Sequence, residues 1–145
     1  MIETINFEEL NWLHVINPDE KDYEYLSENF AFHPLDIEDC KASNQRPKID
    51  EYDDYYFLIL HFPYLDKTNK FIRLKEVKVF WGKDYIVTIG RSHWVVNNLF
   101  EQLKTISEHY KNGVAAKDEE ELIETVSASS DVLLYNLLNK LMIET

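Results

Sequence analysis

The chain has 145 residues, 45% hydrophobic and 14% aromatic, with only 3 Gly and 4 Pro. That fits one domain with a sizeable core and excludes collagenous, linker-like and low-complexity classes. The formal net charge is −12, from 15 Lys plus Arg against 27 Asp plus Glu, which argues against nucleic acid and anionic lipid as partners, because both require a basic face.

In chain order, Leu10–Ile16 alternates and is rich in β-branched and aromatic residues, so it reads as a strand. Asn17-Pro18-Asp19-Glu20 reads as a helix start, with Asn17 as cap, Pro18 in the first turn and Glu20 completing a capping box. Tyr23, Leu26 and Phe30 then recur at helical spacing, which predicts a helix over Asp19–Asn29. Pro34 opens a short second helix through Cys40, and Ser43–Pro47 reads as a loop. The acidic run Asp50–Asp54 reads as an exposed loop leading into a strand.

Tyr55–Phe62 is a β-rich run, followed by a turn at Asp66–Asn69. Phe71–Trp81 alternates, but its phase slips near Lys75–Val77, which predicts a bulge or bend. Gly82–Asp84 is a turn and Tyr85–Ile89 a further strand, so these three runs form an antiparallel meander. Ser92 can cap a helix carrying Val95, Val96, Leu99, Leu103, Ile106 and Tyr110, closed by Gly113 in a left-handed C-cap. The acidic start of Glu119–Val126 favours another helix, and Ser129 or Ser130 can cap a last one. That final stripe (Val132, Leu134, Leu137, Leu138, Leu141) shows no stop signal, which reads either as a terminal helix docked on the sheet or as a helix cut from something longer.

Charge is uneven. Residues 1–60 are net −11, residues 61–111 net +4 and residues 112–145 net −5. The single cysteine, Cys40, cannot form an intrachain disulfide and suits a reducing compartment. The opening MIETINFEEL lacks the basic and apolar regions of a signal peptide. No window approaches the roughly 18 consecutive apolar residues that span a bilayer. The expectation is a soluble intracellular chain.

Chemistry-bearing motifs are few. His14, His33, His61, His93 and His109 form no zinc signature, no serine sits in a nucleophile elbow, and there is no phosphate-binding glycine loop. Nothing here points to an enzyme. Asp36, Glu38 and Asp39 crowd one short helix, with Asp36 and Asp39 three apart on a shared face. Such carboxylates read from composition as a solvated acidic helix, or they offer oxygens to a hard divalent ion, which wants about six or more ligands, so waters or a second subunit must complete the site.

The string Phe32-His33-Pro34-Leu35-Asp36-Ile37-Glu38-Asp39-Cys40, then Gln45-Arg46-Pro47-Lys48-Ile49, then Tyr55-Tyr56-Phe57-Leu58-Ile59-Leu60 resembles the soluble N-terminal domain of CorA-type magnesium and cobalt transporters. Ile86-Val87-Thr88 and Asp131–Leu138 are similar to later segments of that domain, so the resemblance runs from about Trp12 to Leu141. It implies an α/β fold: a three-layer α/β/α sandwich around a mixed, partly antiparallel sheet. It implies that residues 1–145 are a single cytoplasmic domain, truncated before a stalk helix and two membrane spans bearing a Gly-Met-Asn motif. In the family five subunits form the pore, so the resemblance implies a homo-oligomer, a pentamer, at the inner face of the cell membrane.

The resemblance also implies a regulatory divalent site between neighbouring cytoplasmic domains, with Mg2+ as the ion and Glu38 and Asp39 as the matching ligands. At two positions this chain departs from relatives with a second ion. Asn44 stands where those have histidine, and Asn139 where they have aspartate. The function implied is a divalent-cation-sensing domain of a magnesium/cobalt transporter. A zinc-transporting relative and a stand-alone cytosolic interaction module are the alternatives.

Overall fold

The computed structural model describes residues 1–43, 45–90 and 94–144. The chain runs β1 (Ile2–Asn6), β2 (Asn11–Ile16), α1 (Glu20–Asn29), α2 (Pro34–Lys41), β3 (Lys48–Glu51), β4 (Tyr55–Asp66), β5 (Phe71–Gly82), β6 (Tyr85–Gly90), α3 (Trp94–Lys111), α4 (Lys117–Val126) and α5 (Ser130–Glu144). Among the described residues the strands form one six-stranded sheet, ordered β1-β2-β6-β5-β4-β3. It is antiparallel except where β2 lies parallel to β6. The expected mixed sheet and meander are both present.

Strand alternation builds the layers, because successive side chains point to opposite faces. Trp12, Leu58, Val79 and Ile86 bury on one face, against α3, α4 and α5. Leu13, Phe57, Ile59, Phe80 and Val87 bury on the other, against α1 and α2. The result is a three-layer α/β/α sandwich with two separate cores. Among the described residues no helix is long and apolar enough to cross a membrane.

Several local expectations need correction. β1 and β3 were not foreseen; β3 absorbs part of the run expected as a loop, pairing Glu51 with Tyr56 and Asp50 with Phe57. The cap of α1 is Asp19, whose carboxylate accepts from the Asp22 N–H in a reciprocal capping box, while Asn17 sits at φ 45° in the preceding turn. The bulge near Lys75–Val77 is absent: Phe62↔Lys75, His61↔Glu76 and Leu60↔Val77 pair in unbroken register. Gly113 does take the left-handed conformation, at φ 72°, and Ser129 caps α5 by accepting from the Val132 N–H. The Ser92 cap lies outside the described residues.

A buried polar chain ties the sheet to α3. The Trp12 indole N–H donates to Thr88 Oγ1 at 2.9 Å, His14 Nδ1 meets the same hydroxyl at 2.7 Å, and His14 Nε2 meets Asn97 Oδ1 at 2.6 Å. The geometry is satisfied by a neutral imidazole, with Nε2–H donating and Nδ1 accepting. Burial pushes the His14 pKa below its ordinary value, outweighing the hydrogen bonds to Asn97 and Thr88 and the charge of Glu3. The unfolded chain therefore binds the proton more readily. His14's contribution is full above about pH 6.5 and is lost as pH falls below it. We expect urea midpoints of the wild type to drop between about pH 7 and pH 5.5, and His14→Gln to flatten that slope. An unchanged slope in the variant would show that His14 does not titrate on unfolding.

Candidate metal-binding acidic helix

The candidate site is built on α2, and its start is set locally. His33 is extended (φ −62°, ψ 134°), its Nδ1 accepts from the Leu35 N–H at 3.1 Å, and Pro34 takes the first turn, where no N–H is needed. The His33 N–H donates to the Tyr55 hydroxyl at 2.8 Å, which docks the helix start on β4. Phe32, Ile37 and Cys40 bury beneath α2, and the Phe32 ring stacks on Phe80 with centroids 3.9 Å apart.

The three acidic residues of α2 have three different environments. Asp36 is 1% exposed, and its two oxygens accept from the hydroxyls of Tyr55 at 2.8 Å and Tyr52 at 3.1 Å. Burial raises its pKa, partly offset by those hydrogen bonds. Asp36 therefore anchors the helix to the sheet, and both its oxygens are engaged. Glu38 is exposed, with Oε1 3.5 Å from Lys41 Nζ. Asp39 is half-buried, and its Oδ2 lies 2.6 Å from Lys48 Nζ.

Lys48 is the residue that sequence reasoning missed here. Its ammonium bridges Asp39 and Asp50, the latter at 2.9 Å, and lies 5.6 Å from the centroid of the Phe57 ring. Hydrogen bonds to these two carboxylates raise its pKa well above the ordinary lysine value. A protonated lysine thus already holds the position beside Asp39 that a cation would compete for. The signal was present in the Gln45–Ile49 motif, but its pairing with Asp39 depends on how β3 enters the sheet.

The donor chemistry suits a hard divalent ion, since Glu38 and Asp39 present only carboxylate oxygens. Cys40 offers no soft ligand: burial pushes its thiol up to about 12. Among the described residues no group of three or more His, Cys, Asp or Glu side chains is arranged to hold a metal ion. Asn139 is exposed on α5, in the helical layer across the sheet from α2, so one chain does not bring it near Glu38 and Asp39. Asn44 lies outside the described residues. A shared site using both Asp39 and Asn139 requires two copies.

Comparison with known proteins agrees with this architecture. The family described as CorA-like Mg2+ transporter protein matches residues 7–136. The chain is 39% identical over 77 residues to the putative metal ion transporter YfjQ of Bacillus subtilis, covering 53% of this chain and 23% of that protein. It is 24% identical over 117 residues to the cobalt/magnesium transport protein CorA of Thermotoga maritima, covering 81% of this chain and 29% of that one. Its fold is similar to the soluble domain of CorA from Methanocaldococcus jannaschii, with a TM-score of 0.68 at 18% identity, over 94% of this chain and 49% of the other. The chain thus spans 23% to 49% of these relatives' lengths. A match over nearly the whole chain, on the fold that the two cores build, means that this chain belongs to the CorA-like Mg2+ transporter family.

Proposed function

We propose that this chain is the cytoplasmic, divalent-cation-sensing domain of a homo-oligomeric magnesium/cobalt transporter, lying before a stalk and membrane spans. The observation that supports the reading most is the half-buried Asp39 carboxylate beside the exposed Glu38, on a helix held rigidly by Asp36. In a single chain this pair is an incomplete site. Facing acidic groups of a neighbouring copy would repel it, and a bridging Mg2+ would remove that repulsion. Bound ion favours the closed assembly only through its higher affinity for that state. Lys48 tunes the response, because its ammonium must yield Asp39 Oδ2 or leave the ion only the other oxygen.

The test uses the full-length transporter. Asp39→Asn keeps the size and removes the charge, so internal Mg2+ should inhibit transport at least about tenfold less effectively, a coupling loss of about 1.4 kcal/mol. Lys48→Gln should act in the opposite direction and shift inhibition to lower Mg2+. Ion-flux assays on reconstituted vesicles measure both. Unchanged inhibition in Asp39→Asn would remove Asp39 from the sensor.

A further inference from the structure

β4 and β5 are 12 residues each, but their neighbours are shorter. β3 pairs only with Tyr56–Ile59, and β6 only with Lys78–Trp81. The rungs from Leu60↔Val77 to Asp66↔Phe71 therefore run on as a bare two-stranded ribbon, about 20 Å long at ~3.4 Å per residue. Pro63 faces Leu74 and Leu65 faces Ile72 across the ribbon, so period-two alternation puts all four on one face. Leu65, Ile72 and Leu74 are 60%, 76% and 62% exposed. Single exposed apolar residues need no explanation, but a contiguous patch on a two-stranded ribbon, which is marginal on its own, calls for a cover.

Charge identifies the cover. The tip carries Lys67 and Lys70, while Arg73 on β5 pairs with Asp66 beside them at 3.0 Å, so the two lysines give the tip its positive charge in a chain of net −12. At the opposite end of the same two strands lies a cleft of about 1190 Å³ whose lining, among the described residues, sets Glu9, Glu51, Asp53, Asp54, Asp84 and Asp131 against one cation, Lys83. Its floor includes Tyr56 and Trp81, whose rings stack 4.9 Å apart. A basic, apolar ribbon thus complements an acidic cleft with an aromatic floor. The Tyr55↔Gly82 and Asp66↔Phe71 rungs close the two ends of one hairpin, about 37 Å apart by strand rise, so a chain cannot insert its ribbon into its own cleft. Ribbon against ribbon would leave the acidic cleft of each copy without a basic partner. An anionic bilayer would repel the net charge of the chain.

We propose that the β4–β5 ribbon docks head-to-tail into the acidic cleft of a second copy of this chain. Such a contact is heterologous, and it closes into a ring or extends as an open array according to the rotation between copies. The proposal does not depend on whether Asp39 binds an ion.

Sedimentation velocity on the 145-residue chain tests it. The wild type should associate with rising concentration at about 50 mM salt, and at least about fivefold more weakly at about 500 mM. Lys67→Glu/Lys70→Glu and Asp53→Lys/Asp54→Lys should each be monomeric alone but form a one-to-one complex when mixed, because the mixture restores one oppositely charged ribbon and cleft. Ile72→Ser/Leu74→Ser should weaken association without changing charge, with circular dichroism confirming the fold. A wild type that stays monomeric at high concentration and low salt would overturn the proposal. So would association unaffected by the ribbon variants, or a charge-swapped mixture that does not pair. Binding to phosphatidylglycerol vesicles, lost in Lys67→Glu/Lys70→Glu without any self-association, would assign the ribbon to lipid instead.

Discussion

Phe80→Ala lowers stability by about 4 kcal/mol, a large share of the roughly 5–15 kcal/mol available to a domain of this size. Phe80 is 0% exposed on the central strand β5. Its ring stacks on Phe32 at 3.9 Å and on Phe57 at 4.6 Å, and Tyr55 approaches at 5.8 Å. Truncation removes the buried ring and leaves a cavity, because Phe57 and Tyr55 on β4 and Phe32 just before α2 cannot all collapse into it. Lost ring-ring contacts add about 0.5–1.5 kcal/mol each to the area term. Phe32 leads directly into α2, so the damage also loosens the helix that carries Glu38 and Asp39. Urea denaturation should show a lower midpoint at an unchanged m-value, and Phe80→Leu should cost less than half as much. Equal losses for Ala and Leu would mean that aromatic stacking, and not volume, holds this core.

Much of this architecture was legible because its signals are local. The 3.6-residue stripe from Val95 to Ile106 marks α3, and the β-branched runs mark β4 to β6, because each of those segments buries a whole face or stripe. β1 and β3 were not legible. They are edge strands of mixed polarity, Ile-Glu-Thr-Ile-Asn and Lys-Ile-Asp-Glu, whose state is decided by pairing with β2 and β4. The phase slip at Lys75–Val77 was a true signal with a different cause. Val77 and Val79 face the helices α3 to α5, whereas Ile72 and Leu74 face the other way on the bare ribbon, so the change of phase marks where the cover of the sheet ends. At the candidate site, the motif located Glu38 and Asp39 correctly on α2. The burial of Asp36 under Tyr52 and Tyr55, and the capture of Asp39 by Lys48, depend on a strand and a loop that local pattern does not position.

Lys78→Met costs about 3 kcal/mol, although methionine fits the same space. Lys78 is 7% exposed. Its ammonium donates to the Ala42 carbonyl at 2.7 Å and the Cys40 carbonyl at 3.2 Å, and lies 3.5 Å from Glu76 Oε2. Those carbonyls belong to the last turn and C-cap of α2, where intrahelical donors run out. Lys78 therefore caps α2 from the neighbouring sheet, with a favourable charge at the negative end of the helix dipole. Methionine keeps the packing but removes the lysine donor from the Ala42 carbonyl, leaves the Cys40 carbonyl only the Tyr23 hydroxyl at 3.2 Å, and leaves the Glu76 carboxylate without its nearest ammonium. The double variant Lys78→Met/Glu76→Gln should recover about 1 kcal/mol of the loss, since it removes the stranded charge while the Ala42 carbonyl stays without its lysine donor. Hydrogen exchange should localise the remainder to Glu38–Ala42, the turn that presents the two candidate ion ligands. If α2 exchanges no faster in Lys78→Met than in the wild type, the helix end is held by something other than this lysine. If it does exchange faster, the sensitivity of transport to internal Mg2+ should fall as well, even though Lys78 itself contacts neither Glu38 nor Asp39 through its hydrogen bonds.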